Sequence, residues 1–343
     1  MMLIRPVEMR DLDALETLAI RAGIGMTTLP ADREILTRKI QHSLAAFAKP
    51  EDFPGEDCYL FVLEDTETGY IAGTSGIIAA VGLHEPFYTY KIGTLVNTCE
   101  KFGIYNQIPV LYLGSDFTGQ TEICTLFLDP DYRRDDNGKF LSRTRFLFIA
   151  EHPNRFADKI FAEMRGVFCE KGESPFWNAV GSHFFHMEFA KADHLSGIGH
   201  KQLITDIMPK YPLYVPMLPQ AAQDVIGKVH EQTRPARMLL EAEGFRYNGY
   251  VDIFDAGPTL DVHKQDIRIL ADSGHYTVAA LTDSAPEHGP KWLITNARRQ
   301  GFRAALGRFS LDEEGGVQLP AKLAEALRLA PGDVMRAAPL DAQ

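Results

Sequence analysis

Residues 121–150 constrain this chain more than any other stretch, because they read as strand, turn and helix in immediate succession. Residues 123–128 are apolar and end in Leu-Phe-Leu, which suits a buried strand, and Asp129-Pro130-Asp131 stops it. Leu141, Phe146, Leu147 and Ile149 then return at helical spacing, with Gly138 where that helix begins. A helix start offers backbone N–H groups without intrahelical partners and the positive end of the dipole. It is therefore expected to hold an anion such as a pyrophosphate, with Arg133 and Arg134 adding positive charge in the turn. An arginine-rich turn also suits an ordinary solvated loop, so this reading needs support from the rest of the chain.

The flanking pattern is that of an α+β protein. Residues 3–7 open as a strand, Asp11 is placed to cap a helix with Leu12, Leu15, Leu18 and Ala19 on its apolar face, and residues 31–48 predict a second helix with Ile35, Ile40, Leu44 and Phe47 inward. Residues 59–63 and 70–78 predict a hairpin, and the aromatic segment 84–120 predicts further strands. Beyond the central helix, 160–168 reads as a strand, Ser174 and Pro175 start a short helix, and 186–189 reads as a closing strand. A helix-then-strand ending recurs at 235–245 and 250–254, which suggests a second, partial copy of the same unit. Residues 262–343 differ in character, with short strands at 276–280 and 291–295 and a helix, Pro-Gly-Asp turn and strand over 319–334. The expected division is 1–190, 191–261 completing the active site, and a small β-rich, barrel-like appendage over 262–343.

With 343 residues and 45% hydrophobic content the chain can bury a large core. Its net charge of −11 argues against nucleic acid or an anionic membrane as partner, and no run is long and apolar enough to span a bilayer. Cys58, Cys99, Cys124 and Cys169 are scattered without metal spacing and read as reduced thiols of a cytoplasmic protein, with no metal site. His183 and His186 have no third ligand nearby in sequence.

Together, the opening strand and helix, the hairpin, the 122–150 unit and the 174–189 ending resemble the GNAT-type acyltransferase fold, in which such a turn holds an acyl-coenzyme A. The usual turn has Gly or Ala where Phe140 stands, and one extra residue separates Arg134 from Gly138. A wider turn is expected, with the phosphate grip partly replaced by Lys139, Arg143 or Arg145. Longer stretches, among them Met26-Thr-Thr-Leu-Pro30, Glu122-Ile-Cys-Thr-Leu-Phe-Leu-Asp-Pro130, Ala162-Glu-Met-Arg-Gly166 and the 222–230 and 250–258 segments, are similar to the arginine N-succinyltransferase family.

That resemblance implies transfer of succinyl from succinyl-coenzyme A, a co-substrate with no prosthetic group beside it, to the α-amine of L-arginine in arginine catabolism. It also implies His230 as catalytic proton donor and Leu126 as an acyl-coenzyme A contact. A titratable group near neutrality is needed because an α-ammonium cannot attack a thioester and the departing thiolate takes a proton. Glu163 and Arg165, on one face of their strand, are candidates for the arginine substrate or for pairing with each other. Asp252 and Asp255 are candidates for the guanidinium or for turn capping. Cys124 reads as a buried structural thiol. The alternatives are an ornithine-preferring acyltransferase and a non-catalytic partner subunit. The apolar segments 86–90 and 211–216 point to a homo- or hetero-oligomer with a similar subunit.

Overall fold

The computed structural model of the chain describes residues 1–169, 172–197 and 207–341. The strand and helix expected from 121–150 lie at the middle of a mixed sheet that has sixteen strands among these residues. Its first half is built from β1 (Met2–Pro6), β2 (Cys58–Asp65), β3 (Tyr70–Ile78), β4 (Thr89–Cys99), β5 (Ile104–Gly114), β6 (Thr121–Leu128), β7 (Lys159–Glu163), β8 (Leu213–Tyr214), β9 (Arg246–Val251) and β10 (Pro258–His263). In space these run β1-β2-β3-β6-β7-β10-β9-β4-β5-β8, so β6 and β7 occupy the centre.

Helix α1 (Leu12–Ala22) buries Leu15, Leu18, Ala19 and Ala22 as its spacing requires. Asp11 does not cap it: its carboxylate takes the Glu8 N–H at 2.8 Å and a forked pair of bonds from Arg5 at 2.7 and 2.8 Å. Helix α2 (Arg33–Ala48) is capped instead by Asp32, whose Oδ1 accepts from the Ile35 N–H at 3.0 Å. Its inward stripe is Leu36, Ile40, Ser43 and Phe47, a 4-3-4 progression, and Leu44 points outward. Helix α3 (Asn137–Glu151) is buried on nearly every side, from Phe140 through Ile149, because strands lie beneath it and the C-terminal segment lies over it.

Three expectations are corrected. The strand at 160–168 ends at Glu163. No strand forms at 186–189, where His186 adopts a left-handed turn and Phe189 starts the helix Phe189–Gly197. The two helix-then-strand endings therefore differ, since the later one does lead into a strand, β9, that pairs with β10 and β4 inside the same sheet. Of the 191–261 unit, residues 198–206 lie outside the described residues.

The C-terminal residues are β-rich as expected, yet their strands extend the central sheet. They are β11 (Gly274–Thr282), β12 (Trp292–Thr295), β13 (Ala304–Gly307), β14 (Ser310–Leu311), β15 (Val317–Pro320) and β16 (Val334–Pro339). β13 joins β1 antiparallel through Leu3↔Ala305 and Ile4↔Ala304. Below α3, Phe61, Phe140, Phe146, Phe148 and Met164 form one core, and around Trp177, Phe176, Val251 and Phe254 a second core fills the opposite side. Each such side chain contributes about 1.5–3 kcal/mol on burial, which fixes the sheet as a rigid platform.

Candidate active site

β6 and β7 are parallel neighbours only at Thr121↔Ile160 and Glu122↔Phe161, and then they part. The parting coincides with a bulge in β6. The register against β3 slips between Thr74 and Gly76, and Thr125 sits at φ 54°, a left-handed conformation costly for a β-branched residue. Gly76 makes room for it, since a Cβ there would meet Thr125 Oγ1 at 3.2 Å. The bulge also switches the strand's alternation, so that Ile123 before it and Leu126 and Leu128 after it all face the α3 core. Leu126 is thus half-buried, and what it presents to the open wedge is backbone.

The connection between α1 and α2 crosses the mouth of that wedge. On the β6 side Thr28 Oγ1 accepts the Thr125 N–H at 3.2 Å, and the Lys39 ammonium bonds Thr28 O and Thr125 Oγ1, the latter at 3.3 Å. On the β7 side the Arg165 guanidinium donates to Ala22 O at 3.0 Å and lies against Gly25.

At the far end of β6, Asp129 ends the strand by accepting bonds from Arg21, Tyr70 Oη and the Asp131 N–H. The wider turn is real: Asp135 and Asp136 are both left-handed, at φ 54° and 67°, and absorb the extra residue. Asp136 leaves the start of α3 uncapped, because its carboxylate is taken by Lys291 at 2.8 Å and Lys139 at 3.3 Å. Those bonds, Lys291 first, hold its carboxyl below the ordinary range.

Arg133 is exposed and donates to Leu128 O at 3.2 Å, while exposed Arg134 lies over the Tyr132 ring. Both stand at the turn where the phosphate reading put them. The three basic residues expected to supplement them are committed elsewhere. Lys139 pairs with Asp341 at 2.9 Å, and Arg143 pairs with buried Glu243 at 2.6 Å. Arg145 is buried beneath β6, bonded to Ser142 O, and burial pulls it down to about 10.

Beyond β7 the chain turns through Arg165 and Gly166 toward His230. Ala162 and Met164 face the α3 core, so Glu163 and Arg165 share the opposite face, as their alternation required. Asp255 is buried and spends its carboxylate on backbone, taking the Gly166 N–H at 2.7 Å and the Gly257 N–H at 2.8 Å. That closeness needs Gly257, where a Cβ would lie 2.1 Å from Met164 O. Asp252 likewise accepts from the Phe254 and Asp255 N–H groups, at 2.6 and 2.9 Å, and burial raises its carboxyl. Both carboxylates accept the backbone N–H bonds that turn capping requires.

The His230 backbone N–H donates to Arg165 O at 2.9 Å, and its ring lies 5.0 Å from that of Phe168. Nδ1 accepts from the Gln232 N–H at 3.2 Å, which leaves the proton of the neutral ring on Nε2. Burial first, and the positive charge of Arg165 second, push this histidine below its usual value. An apolar cleft of about 530 Å³ opens beside Phe168, between Val167, Pro175, Ala179 and Ala222.

Cys124 is buried and pushed up to about 12 by desolvation, which disqualifies it as a nucleophile. Among the described residues no group of His, Cys, Asp and Glu could hold a metal, and no helix is long and apolar enough to cross a membrane. Sequence reasoning missed Thr28, Lys39 and Phe168. Only the polar pair Thr27-Thr28 in an otherwise apolar inter-helix connection hinted at the first.

The family model described as arginine N-succinyltransferase beta subunit matches residues 2–269, and a second model, for the C-terminal domain of that beta subunit, matches 275–339. An arginine N-succinyltransferase of Yersinia pestis is 48% identical over 341 residues, covering 98% of this chain and 97% of the relative. One from Escherichia coli O139:H28 is 46% identical over 338 residues, with the same coverage. The solved arginine/ornithine succinyltransferase subunit AI of Pseudomonas aeruginosa superposes with a TM-score of 0.91 at 38% identity, over 100% of this chain and 99% of that one.

Proposed function

The chain belongs to the arginine N-succinyltransferase family, and on that premise we propose that it moves the succinyl group of succinyl-coenzyme A to the α-amine of L-arginine by direct attack within a ternary complex. It is an acyl-coenzyme A-dependent N-acyltransferase with an α+β fold of the GNAT type. The observation that carries the reading is the wedge between β6 and β7, which runs from the α3 start to His230.

In this reading the pantetheine arm lies along the open edge of β6 as an added strand, and its pyrophosphate meets the uncapped N–H groups of Gly138 and Lys139, flanked by Arg133 and Arg134. With the Thr125 N–H held by Thr28 Oγ1, the bulge turns the Leu126 N–H toward the thioester oxygen, where negative charge develops. The acceptor's ammonium sheds one proton to water before attack and a second as the tetrahedral intermediate collapses, while the sulfur gains one, so one proton is released per turnover. His230 donates an Nε2–H hydrogen bond to the departing sulfur, which takes up a proton as the nitrogen sheds its second; burial and the charge of Arg165 favour the neutral ring that makes this bond. Arg165 answers the acceptor's carboxylate and Glu163 its guanidinium. Asp255 acts indirectly by fixing Gly166 and, through it, the strand end that holds His230. Positioning both substrates in line supplies much of the remaining acceleration.

We further propose a cytoplasmic oligomer, in which the exposed tip of the β4–β5 hairpin, with Val96, Phe102, Ile104 and Tyr105, meets a similar subunit. The test of the activity is thiol release from succinyl-coenzyme A by the purified chain with L-arginine, L-ornithine or no acceptor. Release dependent on arginine is expected. Equal or greater release with ornithine would move the assignment to an ornithine-preferring enzyme, and none with any acceptor would make the chain a partner subunit.

A further inference from the structure

Resting on the reading above, we propose that Lys39 is the specificity-determining residue that reads the distal carboxylate of the acyl group, and so makes a dicarboxylic acyl-coenzyme A the donor. An acetyl or butyryl thioester needs only the bulge and an apolar wall. A succinyl thioester carries a second negative charge two methylenes beyond the carbonyl, and burying it without a cation is expensive.

The wedge offers cations on both of its sides. Arg165 stands on the β7 side, bonded to Ala22 O, over the Phe168 ring and beside His230, which puts it with the acceptor. Lys39 stands on the β6 side at the bulge itself, where its ammonium bonds Thr28 O and Thr125 Oγ1. Thr125 precedes Leu126, the acyl-coenzyme A contact, so the ammonium lies within about one succinyl length of the thioester position. Both oxygens it meets are neutral, and it forms no ion pair among the described residues. A lysine has three donors, so two bonds leave one for a ligand.

Its placement is also supported from below. α2 is rigid here, capped by Asp32 and anchored by Leu36 and Ile40 on either side of Lys39. The half-buried position shields the charge from water, so a carboxylate arriving there forms a charge-assisted bond of more than surface strength. The same ammonium discriminates against neutral acyl chains, because seating a methyl group against it strips its solvation and returns nothing.

The experiment measures dissociation constants of succinyl- and butyryl-coenzyme A by calorimetry, with kcat/KM for each, on the full chain and on its Lys39→Gln, Lys39→Met and Lys39→Arg variants. Lys39→Gln keeps a donor for Thr28 or Thr125 and removes only the charge. The wild type should prefer succinyl-coenzyme A. The Gln and Met variants should lose about 100-fold in succinyl-coenzyme A affinity while butyryl-coenzyme A changes little, and Arg should restore most of the preference.

Equal weakening of both thioesters would make Lys39 a clasp for the bulge and overturn the proposal, as would a preference that survives in Lys39→Gln and collapses in Arg165→Gln. Should the neutral variants fail to fold, reductive methylation of the wild type decides: Lys39 must be protected by succinyl-coenzyme A well beyond butyryl-coenzyme A, and equal protection overturns the proposal. A wild type that binds succinyl-coenzyme A selectively yet transfers nothing to arginine would instead fail the functional reading.

Discussion

Gly138→Ala separates the needs of the protein from those of its ligand. Gly138 is the second residue of α3 and has helical backbone, so no left-handed geometry demands glycine there. A Cβ at this position would meet no protein atom closer than Leu128 Cδ2, at 4.0 Å. By the protein's own account alanine fits, and removing a helical glycine gains up to about 1 kcal/mol, less in a first turn. The added methyl would project into the space over the helix start, where the pyrophosphate is proposed to contact backbone N–H groups. Losing one such charge-assisted bond costs about 1.5–3 kcal/mol, or about 10- to 100-fold in coenzyme affinity. Stability and binding should therefore move in opposite directions. Thermal unfolding should show a melting temperature held or slightly raised, and calorimetry with coenzyme A should show the weaker dissociation constant, with kcat changed less than KM. Affinity unchanged within about twofold in a stable variant would refute the reasoning and place the pyrophosphate away from the α3 start.

Replacing His230 with Ala should lower kcat by about 100- to 10,000-fold while coenzyme binding and circular dichroism hold; a smaller loss would remove it from the chemistry. As pH falls, kcat/KM should decline with the free-amine fraction of the acceptor, and because burial depresses this histidine a second, steeper limb should appear only below pH 6.5, where protonation puts a hydrogen on Nδ1 against the Gln232 N–H; a His230→Gln variant should lack that second limb. Asp255→Ala should cost about 1–3 kcal/mol in chemical unfolding by leaving the Gly166 and Gly257 N–H groups unpaired, and should lower kcat as the strand end below His230 loosens. Glu243→Ala should cost about 3–5 kcal/mol, since it strips the counter-ion shared by Arg143 and Arg268, each 2.6 Å away. His152, which desolvation pulls down to about 4, binds its proton better in the unfolded chain. Stability should be complete above pH 6.5 and fall between pH 6.5 and 4, and a His152→Gln variant should flatten that slope.

Much of the local structure around the candidate site was legible from local chemistry. The stop at Asp129-Pro130, the helix after Gly138 and the shared face of Glu163 and Arg165 all follow from short-range rules, and the structure holds each of them. Where the reading failed, long-range contacts had overruled the local pattern. Leu44 looked inward by composition, but α2 is turned so that Ser43 bonds the Leu60 N–H of the neighbouring strand. Arg143 looked like a phosphate ligand, but Glu243, distant in sequence, packs against it and takes its charge. Asp11 satisfied a capping pattern and was drawn instead to Arg5.

The sequence by itself determined the α+β class, the order of strand, turn and helix around residue 130, and the chemical types available for the site. Periodicity, turn chemistry and charge are encoded residue by residue and survive without knowledge of neighbours. The tertiary structure alone decided that β6 and β7 part after two residue pairs, that Thr125 is forced into a bulge held by Thr28 and Lys39, and that the C-terminal strands continue the sheet through β13. Those outcomes depend on which strand edges meet and which buried polar groups find partners, and they are set by packing across the whole chain rather than by any window of it.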